Sequence, residues 1–126
     1  MKLITAEKLS LPGGHYSHGA IAGNSLFISG QLPFLPNSQA FPEGVEAQTA
    51  QAMANVEAVL QAVGAGLQQL VNVQIYITDV AHWPIVNQAY AALMGAHRPA
   101  RTIVPCGPLH HGALVEIAAV AEIERS

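Results

Sequence analysis

Residues 43–77, EGVEAQTAQAMANVEAVLQAVGAGLQQLVNVQIYI, decide the fold. Val45, Thr49, Met53, Val56, Leu60 and Val63 recur at spacings of three and four. That period places them on one stripe and predicts a helix from Glu43 to Val63. Gly64 and Gly66 stop it. Val73, Ile75 and Ile77 then alternate with Gln74, Tyr76 and Thr78, the period of a half-buried strand. A helix therefore hands over to a strand across a short turn.

Upstream, Pro12-Gly13-Gly14 is a turn signal, and Gly23-Asn24 joins two short strands, Gly19 to Ala22 and Ser25 to Ser29, into a tight hairpin. Gly30 ends the second strand. From Gln31 to Pro42, Pro33, Pro36, Asn37 and Pro42 predict an irregular loop. Downstream, a second helix is expected from near Trp83, with Pro84 tolerated in its first turn. Trp83, Val86, Tyr90 and Leu93 are expected on its packed side, with Gly95 and Pro99 closing it. Thr102 to Val104 and Leu114 to Ile123 supply the last strands. The order ββαβαββ is α+β. It predicts a single domain over residues 1–126, with both helices on one face of a mixed sheet and the other face left for a neighbour to cover.

Composition supports an assembly. Of the 126 residues, 51% are hydrophobic and only 10% charged, against roughly 25% charged in a typical domain. A protomer this poor in charge leaves apolar surface that usually marks an interface. The cations are Lys2, Lys8, Arg98, Arg101 and Arg125, and the net charge is −3. That is not the basic footprint of a nucleic-acid or anionic-membrane binder. Cys106 is the one cysteine, so no intrachain disulfide is expected and a reducing cytoplasm fits. No signal peptide and no membrane span are expected either.

Several side chains could carry chemistry. Arg101 begins a β-rich segment, and its planar fork matches a carboxylate, although its position alone favours a surface or structural role. Glu116 sits between Val115 and Ile117. A carboxylate there faces solvent or a functional cleft, because burying it unpaired is costly. Tyr16 could offer a phenol to a ligand or cap the core. Asn87 could line a cleft or lie on plain helix surface. The six histidines include the adjacent His110-His111, and His15 with His18, but no metal-ligand motif. No metal and no cofactor are expected. Cys106, between Pro105 and Gly107, has the setting of an inert thiol.

Six segments, in order, resemble the reactive-intermediate deaminase (RidA/YjgF) family over nearly the whole chain. Gly14-His15-Tyr16-Ser17-His18 is similar to its GPYSHA-type start, with His15 replacing the usual Pro. Leu26-Phe27-Ile28-Ser29-Gly30-Gln31 is similar to its LFxSGQ strand end. Gln48-Thr49 with Asn55, and Val86-Asn87-Gln88-Ala89-Tyr90, match its two helices. Pro99-Ala100-Arg101-Thr102 and Leu114-Val115-Glu116-Ile117 match its most diagnostic segments. The departures are a short Met94–Arg98 segment, Ala118 where many relatives have a second Glu, Ile103 where some have Cys, and a distinctive Pro105–His111 loop.

The resemblance implies a chorismate-mutase-like α+β fold and a homotrimer with clefts between subunits. It implies an enzyme that hydrolyses enamine and imine intermediates, such as 2-aminoacrylate through 2-iminopropanoate, to 2-keto acids and ammonia. On the matching positions, Arg101 would grip the substrate carboxylate and Glu116 would orient or activate water. Tyr16, Ser29, Gly30, Asn87 and the backbone near Ile103 would line the cleft. The alternatives are a non-catalytic trimer that binds a small 2-imino or 2-keto acid, and an endoribonuclease, against which the few cations argue.

Overall fold

The structure is a computed structural model and describes residues 1–124; Arg125 lies outside the described residues. Six strands form one sheet: β1 (Lys2–Ile4), β2 (Gly19–Ala22), β3 (Ser25–Gln31), β4 (Leu70–Ile77), β5 (Ala100–Pro105) and β6 (Val115–Glu122). Two helices, α1 (Val45–Gln61) and α2 (Trp83–Met94), connect them. The sheet order is β1-β2-β3-β6-β4-β5. Only β4 and β5 run parallel, as a crossover through α2 requires. The architecture is the expected mixed α+β sheet with two helices.

Alternation sets the layers. Along β6, Val115, Ile117, Ala119 and Ala121 are buried, while Glu116, Ala118 and Val120 are half-exposed. Val73, Ile75 and Ile77 of β4 and Leu26 and Ile28 of β3 share the buried face, where α1 contributes Val45, Met53, Val56, Val59 and Leu60. The opposite face carries Phe27, Gln74, Tyr76, Ala118, Val120 and Val104, and no helix covers it. Phe27 is 49% exposed there. A bulge between Ile28 and Gln31 breaks the β3–β6 register at Ser29 and Gly30.

Several expectations are corrected. A strand, β1, precedes the hairpin. The first helix is shorter than Glu43 to Val63 at both ends. Strand β3 runs on through Gly30 to Gln31, β4 begins at Leu70, and β5 and β6 have different bounds from those expected. On α2 the packed side is Val86, Tyr90 and Met94, whereas Trp83 and Leu93 are 41% and 43% exposed. Leu93 and Met94 lie three and four residues beyond Tyr90, and packing takes Met94 into the core. Trp83, at the very start of the helix, has another partner.

Polar side chains fasten the loops. His18 is buried; its Nδ1 accepts from the Ala6 N–H at 2.9 Å, so its Nε2 carries the proton and donates to the Ser10 carbonyl at 2.9 Å. One imidazole thus pins the segment between β1 and β2. Asn55 of α1 donates to the carbonyls of Leu32 and Phe34 at 2.9 and 3.0 Å. Gln48 donates to the Pro42 carbonyl at 3.1 Å and accepts from the Leu114 N–H at 2.8 Å. Helix α1 therefore holds both long loops, which is what these two buried amides do.

Candidate active site

The side chains singled out by the sequence fall into two groups. Arg101 projects from β5 toward α2. Its guanidinium donates to the Asn87 side-chain oxygen at 2.9 Å. The guanidinium carbon lies 5.0 Å from the Tyr90 ring centroid and 5.7 Å from that of Trp83. Two aromatic faces and one amide thus fix the cation, and a guanidinium has five donors, so most of its fork stays free. Burial pushes the Tyr90 phenol above its ordinary value, and the Arg101 charge partly offsets this. Arg101, Asn87 and Tyr90 line a cleft of about 470 Å³ with His97, Arg98 and Pro99.

Glu116 lies elsewhere. It lines a larger concavity of about 710 Å³ with Tyr16, Ser29, Gly30, His110 and His111. Burial raises its carboxyl above the usual carboxylate range, and His110 partly offsets the shift. Ser29 donates its hydroxyl to the Ser17 carbonyl at 2.6 Å, and Gln31 donates to the Ser29 carbonyl at 3.1 Å. These contacts hold the bulge against the N-terminal loop. Gly30 leaves room for the Glu116 carboxylate: a Cβ here would run into it, meeting its Cδ at 3.1 Å. Tyr16 is more than half exposed at the rim.

The sheet separates the groups. Arg101 pairs with Val73, whereas Glu116 and Val104 both pair with Tyr76. Residues in register share a face, and Val73 and Tyr76, three apart, point to opposite faces. Arg101 and Glu116 therefore project from opposite sides of the sheet. Ile103 packs against the core and lines neither cavity.

The histidines fall into distinct settings. Among the described residues, no three His, Cys, Asp or Glu side chains stand close enough to share a metal ion. His111 takes a left-handed conformation, φ 58°, and its ring meets Phe34 at 5.6 Å and His110 at 5.8 Å. His, like Asn and Asp, adopts that conformation more readily than most non-glycine residues, and Gly112 beside it does so too, at φ 73°. Cys106 is half-buried, and its N–H bonds the Ile77 carbonyl at 2.7 Å.

Known proteins resemble this chain throughout. The model of the family described as Endoribonuclease L-PSP matches residues 7–123. A RutC family protein of Pyrococcus horikoshii is 36% identical over 95% of this chain and 96% of its own length. The crystal structure of RidA from the Antarctic bacterium Psychrobacter sp. PAMC 21119 superposes with a TM-score of 0.93 at 32% identity, covering 98% of this chain and 100% of that one. That of E. coli TdcF with bound serine gives 0.92 at 28% identity, covering all of both chains. With its sheet order, its two helices and its matched motifs, this chain belongs to the endoribonuclease L-PSP family, to which RidA and YjgF belong.

Proposed function

We propose that the protein is an imine deaminase that hydrolyses 2-imino acids, such as 2-iminopropanoate, to 2-keto acids and ammonia, and that it works as a homotrimer. The observation that carries the reading is the sheet between Arg101 and Glu116. Each chain offers a carboxylate-binding fork on one side and a proton-accepting carboxylate on the other. A site using both needs the Arg101 cleft of one copy set against the Glu116 concavity of the next. The uncovered sheet face, with Phe27, Tyr76 and Val104, gives those copies a surface to meet on.

The chemistry suits the residues. Arg101 takes the substrate carboxylate through two parallel hydrogen bonds and fixes the imine carbon. Glu116 accepts a proton as water attacks that carbon. The C–O bond forms, the C=N π pair moves to nitrogen, and nitrogen gains a proton. The carbinolamine hydroxyl proton then passes by way of the Glu116 carboxylate to the amino nitrogen, the oxygen pair forms the C=O bond as the C–N bond breaks, and ammonia leaves. The imine carbon is already electrophilic, so water suffices as nucleophile. TdcF holding serine, a carboxylate-bearing ligand, favours a small-acid site and also suits a trimer that binds without turnover.

Two measurements test this. Native light scattering should give the mass of three copies, and a monomer would sink the shared site. Keto-acid release from imines generated in situ should exceed the spontaneous rate. Arg101→Lys should lose about one power of ten and Arg101→Ala about two. Mixing inactive Arg101→Ala and Glu116→Gln chains through dissociation should restore roughly a quarter of the sites. No acceleration by wild type, with keto acids still bound, would favour the non-catalytic reading.

A further inference from the structure

The chain has five cations, and two of them line one cleft. Arg98 and Arg101 share the cleft of about 470 Å³ beside Asn87 and Tyr90, and no Asp or Glu lines it. Arg101 has an amide partner and two aromatic neighbours. Arg98 has no hydrogen bond or ion pair among the described residues.

The backbone presenting Arg98 is fixed. Gly95 ends α2 at φ 61°, and its N–H bonds the Ala91 carbonyl at 3.0 Å. The His97 N–H bonds the Met94 carbonyl at 3.1 Å, and its ring Nε2 meets the Leu70 carbonyl at 2.9 Å. Pro99 fixes its own φ and holds Arg98, the residue before it, to extended backbone. The short connection before β5 is thus held just ahead of Arg98, which lines the cleft. Two cations lining one cleft without an acidic neighbour make its potential positive, and a ligand with two negative charges suits it. The cleft volume lies in the usual range for small-molecule sites.

We propose that this cleft selects dicarboxylates: 2-imino acids whose side chain ends in a second carboxylate, with Arg101 taking the 2-carboxylate and Arg98 the distal one. The inference rests on the carboxylate role proposed for Arg101 and adds the substrate class. Arg98 is solvent-exposed, so its contribution is modest and screened by salt.

Titration calorimetry on the assembled protein with pyruvate, 2-oxobutanoate and 2-oxoglutarate tests it. Wild type should bind 2-oxoglutarate roughly fivefold tighter than the monocarboxylates at low salt, with the advantage shrinking as salt rises. Arg98→Gln should lose that preference and keep pyruvate affinity, whereas Arg101→Gln should lose affinity for all three. Equal affinities in wild type, or a preference that survives Arg98→Gln, overturn the dicarboxylate assignment alone. An Arg98→Gln protein that no longer assembles makes Arg98 a contact between copies and overturns it too. If wild type binds none of the three, or Arg101→Gln binds them unchanged, the role of Arg101 falls, and this inference with it.

Discussion

Replacing Gly30 by Ala tests how closely the bulge serves Glu116. The added Cβ would collide with the Glu116 carboxylate, with Cδ at 3.1 Å and Cγ at 3.4 Å from it. The blocking atoms are the far end of a flexible side chain, so the carboxylate swings aside rather than the strand. One displaced torsion costs about 0.5–1.5 kcal/mol. Against this, Ala restricts the unfolded chain and contributes about 0.4–1 kcal/mol of stability at a compatible backbone. The net change in stability is therefore small, within about 1 kcal/mol of zero. The effect on rate is larger, because moving a proton acceptor by about 1 Å costs on the order of a hundredfold. Urea unfolding and imine hydrolysis should be measured for Gly30→Ala, Glu116→Ala and the pair. In the Glu116→Ala background the collision is gone, and Gly30→Ala should become mildly stabilising. An equal stability change in both backgrounds would show that the carboxylate is not what keeps position 30 a glycine.

As the proton acceptor proposed above, Glu116 should set the acid limb of the rate profile. Burial raises its carboxyl and His110 partly offsets this, so activity should fall with decreasing pH at a value above the ordinary carboxylate range; His110→Gln should move the limb higher still, and a limb that stays put would remove His110 from the environment of Glu116. For stability the sign is opposite to that of a salt-bridged acid: the folded chain keeps this proton longer, so the contribution is fully present below the ordinary carboxylate value and is lost as pH rises through the raised one, a trend that Glu116→Gln should flatten in denaturation at several pH values. Asn55→Ala leaves the Leu32 and Phe34 carbonyls without their donor and should cost about 1–3 kcal/mol, with faster amide exchange along residues 32–41; unchanged exchange there would mean the loop is held by other contacts.

The architecture was legible because long periodic segments carried it. Val73, Ile75 and Ile77 lie where alternation puts them, and Val45 through Leu60 face the sheet as spacing requires. β1 was not legible, since three residues are too few for a pattern to show. The choice between Leu93 and Met94 was open because a pitch of 3.6 residues fits both, and only tertiary packing decides. Trp83 left the core because its ring faces a guanidinium, a contact that depends on β5 lying beside α2. Arg101 and Glu116 were identifiable by residue type and motif. Their relation was not, because it depends on the register of β4 with both β5 and β6, which long-range pairing sets. Gln48 and Asn55 belonged to a matched pattern, but only the loops they hold explain them.

The sheet that parts Arg101 from Glu116 has a consequence for redesign. Side by side, a guanidinium and a carboxylate would pair, and each would quench the other before any ligand arrived. Kept apart, both stay available to outside partners. If copies meet on the open face as proposed, a chain made monomeric by adding charges at Phe27 and Val104 should keep two folded and independent half-sites. Its Arg101 cleft could then be characterised for ligand affinity without turnover. Transplanting the whole site into another scaffold would require two polypeptide surfaces rather than one.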